Sequence, residues 1–160
     1  MPLKTNVMRI LDSTKISYKT YDYSKSDVIS GGDVAKYLQQ DPERVFKTLV
    51  TQAKSKEYYV FMVPVCCELD LKKAAQAVGE KALEMIPQKE LLKVTGYIHG
   101  GCSPIGMKKS YRLTIHQSAE NFQTIIFSAG KVGYQVELSP CDLGKIVPFE
   151  LYDIVKGRNI

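Results

Sequence analysis

Residues 96–109 (GYIHGGCSPIGMKK) hold four glycines and one proline in fourteen positions, a density that marks an unusual loop. Glycine tolerates positive φ and lets a ligand come close to the main chain. Gly100, Gly101 and Ser103 could therefore offer backbone N–H and C=O groups to a bound molecule. Lys108 and Lys109 follow at once, and Arg112 is near. A glycine-rich turn beside a basic cluster suits a phosphate-bearing ligand. The competing expectation is a tight structural turn with solvated lysines.

Lys47 lies inside the apolar stretch VFKTLV. Period-two alternation places Val45, Lys47 and Leu49 on one face of a strand. Two placements are open for such a lysine. It can blunt an exposed sheet edge, the more ordinary use, or it can point into a cavity as a fixed cation suited to a phosphate or a ribose hydroxyl.

Other familiar chemistry is missing. The chain has no G-x-x-x-x-G-K-[ST], no dinucleotide fingerprint, no H-E-x-x-H and no G-x-S-x-G. His116 ends an apparent strand and reads as a surface residue, whereas His99 sits in the glycine loop and is the better placed of the two. The four cysteines, Cys66, Cys67, Cys102 and Cys141, form no C-x-x-C and complete no zinc-type spacing with the histidines. A bond between the adjacent Cys66 and Cys67 would be strained, so reduced thiols are expected.

The elements that must carry these residues follow from pattern. Val7, Ile10 and Leu11, with Leu3, share a helical face over residues 3–15. ISYKTY alternates like a strand, and residues 33–40 read as a short helix. VFKTLVT and YYVFMVPV, separated by the polar AKSKE, predict an antiparallel hairpin. Asp70 and Gly79 bracket a helix as cap and stop. Residues 82–86 read as a strand, and Pro87 opens a helix to about residue 94. Three more strands are expected at 112–115, 124–128 and 133–138, the last two joined by AGKVG, before a closing helix at 140–147. The tail with Arg158 and Asn159 is expected to be mobile.

Strands and helices do not alternate regularly, so a doubly wound parallel sheet is excluded. The expected fold is α+β, with a mixed, largely antiparallel, barrel-like sheet and flanking helices, built as one domain over residues 1–160. At 44% apolar and 24% charged, the chain has the composition of a globular protein. Its net charge of +5 suits a nucleic-acid partner without requiring one. No signal peptide or membrane-spanning run is visible, so a cytoplasmic location is expected.

The ordered combination VFKTLV, PVCCELDLKKAAQAVGEK, TGYIHGGCSPIGMKK and IIFSAGKVGYQVEL resembles the YbaK/EbsC family of aminoacyl-tRNA deacylases, relatives of the editing insertion of bacterial prolyl-tRNA synthetases. The likeness runs over residues 7–147. It implies release of a wrong amino acid from tRNA, with Cys-tRNA(Pro) as the characteristic substrate, no cofactor, no metal, and prolyl-tRNA synthetase as a partner. By this resemblance Lys47 matches the essential lysine, Gly100 the glycine whose carbonyl contacts the aminoacyl group, Tyr21 a tyrosine near the site and Ser128 a site serine. Gly101, Ser103, Lys108 and Lys109 would contact substrate. The chain departs from the pattern at Gln135, where an aspartate can stand, in SAG for SGG, and at Cys102 for isoleucine.

The resemblance also implies that the substrate's own thiol attacks its ester, so Cys102 is not the nucleophile. Such a reaction asks the protein mainly for positioning and charge stabilisation. Editing has a physical rationale, because a proline pocket rejects a smaller amino acid by only about 1–3 kcal/mol per missing methylene. The alternatives are an Ala-tRNA(Pro) deacylase of the same kind and a non-catalytic tRNA- or synthetase-binding module.

Overall fold

Thr5 starts the first helix: its hydroxyl oxygen accepts the Met8 N–H at 3.2 Å, satisfying a donor that no helical carbonyl can reach. In this computed structural model, which describes residues 3–28 and 30–157, helix α1 runs Asn6–Ser13. Its apolar face buries Val7, Met8 and Leu11. Leu3 precedes the helix and is exposed, so it does not extend that face. The tail with Arg158 and Asn159 lies outside the described residues.

The strands are β1 (Lys19–Asp22), β2 (Phe46–Ala53), β3 (Tyr58–Pro64), β4 (Leu83–Met85), β5 (Arg112–His116), β6 (Ile125–Ser128), β7 (Tyr134–Leu138) and β8 (Phe149–Tyr152). Between them lie α2 (Gly31–Tyr37), α3 (Leu71–Val78), α4 (Leu91–Thr95) and α5 (Pro140–Ile146). The predicted β2–β3 hairpin forms, with Lys47 opposite Val63. Asp70 caps α3 by accepting the Lys72 and Lys73 N–H groups at 3.0 and 3.1 Å, and Gly79 ends it at φ 77°. Strand β1 begins later than ISYKTY suggested, because only residues from Lys19 onward pair with β7. Strand β8 was not expected.

Two sheets result, β1-β7-β6 and β4-β2-β3-β5-β8. Pairing is mixed: β5 lies parallel to both β3 and β8, and every other strand pair is antiparallel. The sheets meet at one isolated parallel bridge, Val45 to Ile126, and do not close into a barrel. The main core lies between them, where Phe46, Met62 and Ile115 of the large sheet meet Phe127, Val136 and Leu138 of the small one, with α1 alongside. Phe127 is fully buried there; truncation of such a side chain to alanine costs about 3–5 kcal/mol.

On its other face the large sheet buries Phe61 and Val63 under α3. A third, small cluster joins Ala35 of α2 to Val45 and Ile126 across the seam. Among the described residues no helix is long and apolar enough to cross a membrane.

Candidate active site

Strand β2 lies between β4 and β3, but β4 pairs only with Thr51, Gln52 and Ala53, so at Lys47 the strand is paired on one side alone, with Val63 of β3, and the edge expectation holds locally. Val45 packs with Ala35 of α2, and Leu49 packs against the cluster under α3. Lys47 sits between them on the same face and is half-buried. Among the described residues, nothing forms a hydrogen bond or ion pair with its side chain.

The Val45–Ile126 bridge is parallel, and the Ile126 N–H donates to the Arg44 carbonyl at 3.1 Å. Two residues further along each strand come Lys47 and Ser128, on the same face, where β2 and β6 are no longer paired. Ser128 pairs with Gln135 of β7, and Gln135 pairs with Tyr21 of β1. Lys47, Ser128, Gln135 and Tyr21 thus form one row across the seam between the sheets.

The row is braced from behind. The Tyr21 hydroxyl donates to Glu137, and the Thr124 hydroxyl donates to the other carboxylate oxygen at 2.5 Å. Burial raises the Glu137 carboxyl, but these two hydrogen bonds and the charges of Lys19 and Arg44 outweigh it and hold its pKa below the ordinary 4.5. The bond to Glu137, followed by burial, raises Tyr21 above its ordinary value of 10. Gln135 is buried, and its amide oxygen accepts from Gln40 Nε2 at 2.9 Å. Glu137 was not anticipated, although alternation in YQVEL places it on the same face as Gln135. Beyond it the face opens into a cleft lined by Lys19, Arg44, Phe122 and Thr124.

The turn after β6 carries the glycine loop. Gly130 N–H donates to Ser128 Oγ at 3.1 Å. Gly101 lies so close to this turn that a Cβ on it would stand 3.0 Å from the Val132 nitrogen. Gly100, beside it, has φ 86°, the left-handed region that favours glycine. Tyr97 holds the loop shut: its hydroxyl donates to the Ile105 carbonyl, and its ring lies against Gly130.

Ser103, Lys108 and Lys109 have other surroundings than the Lys47 row. Ser103 is fully buried, and its hydroxyl accepts the Ile105 N–H at 3.4 Å, so it shapes the loop. Lys108 packs along Gly96 and donates to the Lys93 carbonyl at 3.4 Å, the ordinary service of a cation at a helix C-terminus. Lys108 and Lys109 line a separate cleft with Val60 and Leu113. Those two apolar residues belong to the core face of the large sheet, opposite Lys47.

His99 is exposed in the loop. His116 is not a surface residue: it is half-buried, and its Nδ1 accepts the Ile154 N–H at 3.3 Å. Cys102 is buried in the main core, and that burial pushes its thiol up to about 12.

Lys47 is thus a half-buried cation at the seam whose side chain has no hydrogen-bond or ion-pair partner among the described residues, in a row with Ser128, Gln135 and Tyr21. The model for the aminoacyl-tRNA editing domain matches residues 27–146. The chain is 46% identical over 138 residues to an Enterococcus faecalis (strain ATCC 700802 / V583) protein, covering 86% of this chain and 84% of that one. That protein is named "Putative Cys-tRNA(Pro)/Cys-tRNA(Cys) deacylase EbsC". This chain is also 23% identical over 105 residues to a proline–tRNA ligase of Brachyspira hyodysenteriae (strain ATCC 49526 / WA1), covering 66% of this chain and 18% of the ligase. A solved structure described as "a putative trans-editing enzyme for prolyl tRNA synthetase" superposes with a TM-score of 0.81 at 18% identity, covering 98% of this chain and 100% of that one. The chain belongs to the aminoacyl-tRNA editing domain family.

Proposed function

We propose that this protein is a trans-editing deacylase that removes cysteine from Cys-tRNA(Pro), and also from Cys-tRNA(Cys). The observation that carries this reading is Lys47, a cation kept half-buried at the seam, its side chain without a partner among the described residues. Leaving a charge partly desolvated is unfavourable unless a ligand compensates it. The terminal ribose and phosphate of a charged tRNA would do so. The name of the E. faecalis relative supplies the substrate, and its identity over most of both chains supports the transfer.

The chemistry needs little from the protein because an aminoacyl ester is already activated. Gly100 and Gly101 offer main-chain groups to the aminoacyl end, while Tyr21, Gln135 and Ser128 line the seam. The substrate's own thiol attacks the ester carbonyl. A carbon–sulfur bond forms, the carbon–oxygen bond to the ribose breaks, and the thiol proton passes to the departing ribose hydroxyl. Free tRNA and a cyclic thioester result, and water then opens the thioester to cysteine. Cys102 is unsuited as a protein nucleophile, since burial holds its thiol protonated.

The likeness to a proline–tRNA ligase supports prolyl-tRNA synthetase as the partner that brings the tRNA. The test is a deacylation panel over Cys-, Ala-, Ser- and Pro-tRNA(Pro), with and without that synthetase. Selective release of cysteine supports the reading. Preferential release of alanine would assign the protein to the sibling activity, and binding without turnover would make it a non-catalytic module.

A further inference from the structure

We propose that Glu43, Cys66 and Cys67 form a binding site for one thiophilic divalent cation such as zinc, apart from the editing site. A carboxylate oxygen of Glu43 and the two sulfurs all lie within 4.8 Å of one another. The sulfurs are 4.0 Å apart. Zinc–sulfur bonds of about 2.3 Å at a tetrahedral angle put two sulfurs about 3.8 Å apart, and a carboxylate oxygen about 3.6 Å from each. A single ion therefore needs only small side-chain adjustments.

The ligands come from two segments far apart in sequence, which is why no spacing motif announces them. Glu43 lies in the turn before β2, and the cysteines follow β3. Pairing of Phe46 with Pro64, and the Val65 N–H donating to the Val45 carbonyl at 2.8 Å, lock those strand ends side by side. The Cys67 N–H donates to the Pro64 carbonyl at 2.9 Å, and Cys66 Sγ sits 3.6 Å from the Pro42 carbonyl. The backbone thus holds the two ligand-bearing segments side by side.

Cys67 is buried, Glu43 is half-buried and Cys66 is exposed, so an ion can enter from the Cys66 side and keep a water as its fourth ligand. Two thiolates and one carboxylate select zinc or cadmium over magnesium or calcium. Binding converts both thiols to thiolates and releases two protons to solvent for each ion bound. The ion would clamp the segment that leads into Arg44 and Lys47 to the end of β3.

The experiment uses chelator-treated full-length protein kept reduced with a phosphine. Cadmium is titrated while the thiolate-to-metal absorption band is recorded, and zinc is titrated against a chromophoric chelator. The expected result is one ion and two released protons per chain, with a higher melting temperature in zinc. Cys66→Ser, at an exposed position, keeps the fold and loses both the band and the zinc-dependent rise. Glu43→Gln weakens binding several-fold, and Cys141→Ser leaves it unchanged. Absence of stoichiometric binding, or binding that survives Cys66→Ser, overturns the proposal. These readouts measure the ion and the fold, so they are separate from the deacylation assay.

Discussion

Val45, just before β2, and Ile126 of β6 form a parallel bridge, the one that joins the two sheets among the described residues. That geometry sends Lys47 and Ser128 forward together on one face and then lets the strands part. The first prediction concerns Lys47. Lys47→Ala should lower kcat/KM for Cys-tRNA(Pro) by about 100-fold or more, the scale of losing one charged stabiliser in a partly desolvated site. Its melting temperature should hold or rise, because an unpaired, partly desolvated charge is removed. Full activity would remove Lys47 from the mechanism.

Gly101→Ala tests the seat of the glycine loop. The new Cβ would meet Val132 N at 3.0 Å and Lys131 C at 3.3 Å, both of them backbone atoms. Such overpacking costs about 1–3 kcal/mol. Urea unfolding should show that loss, and cysteine release should fall because the loop is displaced. Unchanged stability would show that the loop yields easily.

Glu137 makes stability depend on pH. Its folded pKa lies below 4.5, so its contribution is present above 4.5 and is lost as pH falls through the folded value. Tyr21 works at the other end: its pKa is raised above 10, so its contribution is present below 10 and lost as pH rises further. Unfolding free energies measured across the acid range should fall more steeply for the native protein than for Glu137→Gln. Parallel curves would mean that Glu137 is not coupled to folding.

Cys102→Ala should leave cysteine release intact, since a thiol held near 12 supplies almost no thiolate at neutral pH. The small cavity should cost about 1 kcal/mol of stability. Loss of activity in a folded variant would move the nucleophile back onto the protein.

Local signals carried much of the fold. Asp70 and Gly79 bounded α3 because capping is a property of a few neighbouring residues, and AKSKE marked the hairpin for the same reason. Long-range pairing was not legible. Nothing near Lys47 says that β4 flanks β2, nothing near Phe149 says that β8 joins β5, and nothing joins Glu43 to Cys66. The placement of the basic run is also a long-range matter: Lys108 and Lys109 follow the glycine loop in sequence, but they line a cleft on the other face of the sheet from Lys47. Family likeness singled out Lys47, Tyr21 and Ser128, and strand register then placed all three in one row. Glu137 was within reach, since alternation around Val136 and Leu138 turns it away from the core.

The central claim is that the substrate's thiol performs the displacement in a seam organised around Lys47. Comparing initial deacylation rates on Cys-tRNA(Pro) and Ser-tRNA(Pro), identical but for sulfur and oxygen, tests it most directly. The account predicts rapid release of cysteine and little release of serine; equal rates would contradict it.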